Sequence, residues 1–193
     1  MAIELKKGQK ISLEKPRGGS HGEIVINLNW NQRSGLFSSS AVDLDLGCLY
    51  EFKDGRKGCV QALGNAFGSL SNAPYIMLDG DDRTGASKNG ETLRVNGSKS
   101  SEFKRILVYT FIYQGIANWK QADGIVTVKA PGSEDIIVRM DDYNSRQIMC
   151  AIAMIENTGG DDLSVEKIVR FFDGHSFMDR AFGWGMSWTA GRK

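Results

Sequence analysis

Residues 42–46 read Val42-Asp43-Leu44-Asp45-Leu46, a strict alternation of apolar and acidic side chains. In an extended chain successive side chains point to opposite faces. Val42, Leu44 and Leu46 therefore share one face, and Asp43 and Asp45 share the other. The stretch predicts a half-buried strand carrying two carboxylates on its wetter side. Ile24-Val-Ile-Asn-Leu-Asn-Trp30 alternates in the same way, with Val25 the exception.

Working outward, the same pattern recurs. Residues 3–13 read as two short strands around a Lys-Lys-Gly-Gln-Lys turn, and Pro16 to Gly22 as a loop. Asp54-Gly55 marks a hairpin turn. Further strand candidates are 58–63, 74–79, 91–96, 104–113, 124–130, 135–140 and 147–156. Phe103 to Tyr113 is almost continuously apolar, β-branched or aromatic, which suits a strand buried on both faces. Near Gly159 the spacing changes. Leu163, Val165, Ile168, Val169 and Phe172 recur at helical intervals and predict a helix. Ser176-Phe-Met-Asp179 predicts a capping box opening a second short helix, ended by Gly183. A last strand is expected at Gly185–Thr189. The sum is a mostly β chain: a β-sandwich of about nine or ten strands with short C-terminal helices, in one domain spanning 1–193.

Composition narrows the function. With 24 basic and 23 acidic residues, the chain has no electrostatic case for nucleic acid or an anionic membrane. Its longest apolar runs, 106–113 and 148–155, are too short for a membrane span. Cys48, Cys59 and Cys150 are odd in number and contain no Cys-x-x-Cys. A cytoplasmic protein without disulfides or an integral membrane segment is expected. Inert core thiols are the better reading for Cys48 and Cys150. His21 and His175 are expected on the surface, and no nucleophile signature accompanies them.

The chemistry concentrates in two acidic clusters. One is Asp43 with Asp45. The other is Leu78-Asp-Gly-Asp-Asp-Arg-Thr-Gly85, followed by Glu91. Crowded carboxylates must be solvated, protonated or neutralised by a cation. Calcium takes six to eight oxygens from carboxylates, carbonyls and water. Asp43, Asp45, Asp79, Asp81, Asp82, Thr84 and Glu91 supply that donor type, and Gly80 and Gly85 let the backbone turn. Glu91 could close the shell with both oxygens. The EF-hand template fails: counted from Asp79, the sixth residue is Thr84 and not Gly, and Glu91 falls one place late. A solvated acidic loop, tied internally by Arg83, stays open on the residues alone. Asp141 and Asp142 read equally as an extension of the acidic site or as a surface turn.

Several of these motifs resemble the TerD family of tellurium-resistance and stress proteins. Asn27-Leu-Asn-Trp-Asn31 is similar to the family's Gly-Trp-Asp strand end. Val42–Leu46 resembles its Phe-Asp-Leu-Asp-Ala motif. Gly80-Asp-Asp-Arg-Thr-Gly85 resembles Gly-Asp-Asn-x-Thr-Gly, and Glu91 matches the Glu that closes the family's Asp-Asp-Glu segment. The details look closest to the TerA-like branch. The resemblance implies a β-sandwich holding one or two Ca2+ ions in loops at one end, with Asn31 added to the ligands. It also implies a non-enzymatic role in tellurite and stress resistance, acting with other tellurium-resistance proteins or by self-association. There are three departures, and the first and third lower the negative charge and with it the expected affinity. Asn31 stands for Asp, Leu78 for His, and Ser87-Lys-Asn-Gly90 for an acidic run. A metal-dependent hydrolase built on the Asp-rich site, or a calcium-dependent glycan-binding sandwich, are the alternatives.

Overall fold

Ile24, Ile26 and Leu28 are fully buried, while Glu23, Val25, Asn27 and Asn29 face the other way. This period-two burial is what the alternating sequence demands of a strand with one wet face. The computed structural model describes residues 2–30, 42–80, 90–114, 119–141 and 146–189, and the fold is given for these. In chain order the strands are β1 (Ala2–Glu4), β2 (Lys10–Ser12), β3 (Glu23–Asn29), β4 (Asp43–Phe52), β5 (Lys57–Val60), β6 (Gly68–Ser69) and β7 (Ile76–Leu78). They continue with β8 (Glu91–Asn96), β9 (Phe103–Gln114), β10 (Ile125–Lys129), β11 (Asp135–Arg139), β12 (Met149–Gly159) and β13 (Asp162–Phe172). Helix α1 (Trp119–Ala122) is a single turn, and α2 (His175–Phe182) lies near the C-terminus.

The strands form two sheets. One has seven strands in the order β1-β11-β10-β3-β8-β7-β6, and the other six in the order β2-β13-β12-β9-β4-β5. Their facing surfaces share one apolar core, in which Ile26, Leu28 and Leu93 of the first sheet meet Leu44, Leu46 and Val108 of the second. The expected sandwich is therefore present, with more strands than expected because several are only two or three residues long.

A second apolar cluster covers the outer face of the six-stranded sheet. Leu49, Leu107, Met154 and Phe172 pack there beneath Met178 and Trp184. The chain from α2 onward thus lies over that sheet as a strap. Arg105 stacks on Trp184 at 3.8 Å and donates to the carbonyls of Phe182 and Gly183. Asp179 accepts from the backbone amides of Gly185 and Met186 and from the Trp188 indole, at 2.8, 2.9 and 3.0 Å.

Three sequence expectations are corrected here. Residues 163–172 form strand β13 and not a helix. Its inward residues Leu163, Val165 and Val169 enter the main core, and its outward residues Ile168 and Phe172 lie under the strap. Burial on both faces puts apolar residues on both parities, and the result mimics helical spacing. The capping box does not form: α2 starts after Gly174 without a side-chain cap, although it does end at Gly183, which adopts the left-handed conformation. Residues 185–189 are not a strand, because their amides turn to Asp179 instead of a neighbouring sheet.

Candidate metal centre at one end of the sandwich

Register shows where the acidic strand ends meet. Ile125 pairs with both Asn29 and Arg139, and Glu91 pairs with Leu28, so these residues mark one end of the seven-stranded sheet. In the other sheet Asp43 pairs with Gln114, and Met149 pairs with Phe111 and Phe172. Two side chains join these ends. The Trp30 indole N–H donates to the Val42 carbonyl at 3.0 Å. The Leu46 amide donates to Glu91 Oε2 at 2.6 Å.

The second contact places the candidate ligands. The amide that Glu91 receives belongs to the peptide bond between Asp45 and Leu46. Asp45 is 1% exposed and Glu91 3%, so two buried carboxylates flank one peptide unit. Asp43, two residues earlier on the same strand face, is partly exposed. Backbone shape makes the approach possible at Gly90, whose φ is +66°. A Cβ there would lie 1.9 Å from the Leu28 carbonyl oxygen, so only glycine lets β8 begin beside the end of β3.

Asp79 takes a different course. Its carboxylate accepts from Arg94 Nε at 2.8 and 2.6 Å, and Arg94 also reaches Glu23 at 2.6 Å. Thr92 and Arg94 lie on the half-exposed face of β8, while Glu91 and Leu93 are buried. Asp79 therefore sits on the outward face of the sheet, turned away from Glu91. Asn31, Asp81, Asp82 and Thr84 lie outside the described residues, as do Arg83 and Asp142. Among the described residues no three His, Cys, Asp or Glu side chains gather into one coordination sphere. The donor chemistry nevertheless fits a hard cation: Asp43, Asp45 and Glu91 are all oxygen donors, the type calcium prefers.

Other polar groups do not behave as the sequence suggested. His21 is fully buried, and burial lowers its pKa, with the neighbouring Lys15 acting in the same direction. His175 lies between the rings of Phe111, Tyr109 and Trp188, and its Nε2 is 2.9 Å from Gln61 Oε1. Burial lowers its pKa to about 4. Neither histidine is the surface residue expected, because the loop and strap that carry them fold back onto the sheets. Cys48 and Cys150 are buried as expected, and burial pushes the Cys48 thiol upward. Lys167 was hidden by the helical reading of its segment. It is 2% exposed and reaches Asp141 Oδ2 at 3.0 Å. A buried ammonium requires such a partner.

The family model for the TerD domain matches residues 1–130. The chain belongs to the TerD domain family. A tellurium resistance protein, TerA, from Alcaligenes sp is 44% identical over 196 residues, covering 97% of the chain and 57% of the relative. The chain thus spans just over half the length of that curated relative. Two solved structures share the TerD-like fold. SAV2460, a protein of unknown function, has a TM-score of 0.64 at 11% identity, covering 88% of this chain and all of that one. SCO6318 from Streptomyces coelicolor A3(2), described as a homologue of telluride resistance protein (TerD), has a TM-score of 0.62 at 18% identity, covering 83% and 95%. At those identities the likeness concerns the fold alone. No helix among the described residues is long and apolar enough to cross a membrane.

Proposed function

We propose that this TerD-family chain is a calcium-binding module that serves tellurite and stress resistance in the cytoplasm without catalysis of its own. The observation that supports calcium is the Glu91–Leu46 contact, which brings the buried Glu91 carboxylate to the peptide bond that follows the buried Asp45. Burying two carboxylates near one another is unfavourable through desolvation and mutual repulsion. A divalent ion offsets both. With Asp79 held by Arg94 on the outer face, one ion is favoured over two. The TerA relative supports the resistance role. An ordered, neutralised end of the sandwich would then serve as a surface for other tellurium-resistance proteins or a second copy.

The test is metal analysis and isothermal titration with calcium chloride on protein first treated with chelator, followed by thermal melts. A free calcium concentration of about 100 times Kd should raise stability by about 2.7 kcal/mol. The double change Asp45→Ala with Asp81→Ala should abolish the shift. No heat of binding and no change in Tm would remove calcium from the reading.

A further inference from the structure

Strand β2 lies at one edge of the six-stranded sheet, and among the described residues only β13 pairs with it. Leu13 donates to the Leu163 carbonyl at 2.9 Å, and the Gln9 carbonyl accepts from Lys167 at 3.1 Å. Successive peptide groups of a strand point to alternate sides. The odd-numbered residues therefore turn theirs toward β13, while Lys10, Ser12 and Glu14 turn theirs outward. At Glu14 the Ser133 hydroxyl already occupies this side, accepting from the amide at 2.5 Å. Lys10 and Ser12 are exposed and present two open amides and two open carbonyls. An edge lysine commonly wards off other strands, but Lys10 reaches the other way, across β13 to Glu156 on β12 at 2.5 Å. Beside the edge runs a groove of about 260 Å3 whose lining includes Ile3, Ile11, Ile136 and Glu14.

We infer that two copies of the chain pair along this edge, β2 against β2, antiparallel and centred on Ile11, so that their six-stranded sheets join into one. The open groups set the register. With Ile11 opposite the partner's Ile11, Lys10 faces the partner's Ser12, and Ser12 faces the partner's Lys10. Both are hydrogen-bonded pairs, so four backbone bonds form. The two Ile11 side chains meet at the closely spaced, unbonded position between them, at the mouth of the groove. Charge selects the same occupant. Two-fold symmetry sets the end of β2 that carries Glu14 alongside the partner's β1–β2 turn, which carries Lys6 and Lys7. All three side chains are exposed. Lys15, next along, is already held by Asp161 and Asp162 at 2.7 and 2.5 Å. The pairing stands independently of the calcium reading.

Sedimentation velocity of the full chain in chelator, over a series of protein concentrations, tests this. The wild type should pass from one copy to two as concentration rises. Ser12→Pro removes an outward amide and leaves the odd-numbered bonds to β13 in place. By symmetry it deletes two of the four bonds and should weaken dimerisation about thirtyfold. Glu14→Lys should weaken it about fivefold, and adding Lys6→Glu and Lys7→Glu to that variant should restore it. Should Ser12→Pro not fold, hydrogen exchange of the wild type by NMR decides. The Lys10 and Ser12 amides should exchange more slowly as concentration rises, while Ile11, whose amide faces β13, keeps its rate. A wild type that stays monomeric throughout would overturn the inference and leave the edge to an unlike strand. A dimer indifferent to both Ser12→Pro and Glu14→Lys would overturn it too, as would one whose Lys10 and Ser12 amides exchange as fast as in the monomer.

Discussion

Glu91, on one sheet, accepts a hydrogen bond at 2.6 Å from the backbone amide of Leu46, on the other. This contact joins the start of β8 to β4 and brings two acidic motifs, 45 residues apart in sequence, to one peptide bond.

Glu91→Ala would strip the buried Leu46 amide of its acceptor. Such a loss costs roughly 1–3 kcal/mol. Glu91→Gln keeps an acceptor oxygen and should retain most of that stability while losing the charge a cation needs. Urea denaturation in chelator measures the first effect, and calcium titration the second. Alanine as stable as wild type would show that the contact contributes nothing.

Gly90→Ala should be severe for a local reason. The added methyl would sit 1.9 Å from the Leu28 carbonyl oxygen, and φ is +66°. Both the clash and the left-handed backbone oppose it. We expect a loss above about 2 kcal/mol, with the start of β8 displaced. A fall in Tm of only a degree or two would contradict the observed path of the chain.

The His175 imidazole titrates at about 4 in the folded chain, against an unfolded value near 6.5. A depressed folded value means that the unfolded state takes up the proton first. Stability is therefore complete above about pH 6.5 and falls as the pH drops toward 4, by roughly 3 kcal/mol at most. His175→Gln should flatten this part of the pH–stability curve. If the variant and wild type decline in parallel between pH 6.5 and 4, the burial of His175 is not what sets the slope.

Asp179→Ala removes an acceptor shared by two backbone amides and the Trp188 indole. The strap should loosen while the sandwich beneath stays folded. Limited proteolysis should then nick between residues 183 and 189, where the wild type resists. Equal resistance would place the anchoring elsewhere, in the Arg105–Trp184 stack.

Much of the architecture was legible because most strands have one wet face. Residues 91–96 alternate cleanly, and β8 occupies just those positions. Legibility failed at β13, one of the strands covered on both faces. Residues 162–172 lie between the core and the strap, so their apolar residues follow no single parity. Part of the candidate site's geometry could be anticipated only as residue type: Asp45 and Glu91 read as oxygen donors, and Glu91 reaches the peptide bond that follows Asp45. What sequence could not reveal was direction. Asp79 carries the same chemistry, but a neighbouring Arg94 on the outward face captures it. Nothing in the local pattern distinguishes it from an inward carboxylate. Trp30 stood within a quoted motif, yet its acceptor lies twelve residues away, and only folding pairs the two.

The Glu91 carboxylate also bears on how copies of the chain avoid sticking together. The β4–β5 ladder ends at the Cys48–Val60 pair, so among the described residues no strand of its own sheet lies beside β4 at Leu46 on that side. A bare margin of this kind is a template on which a foreign strand can grow. Glu91 occupies the slot with a group that has no chain to extend. Losing it would open a nucleus for aggregation.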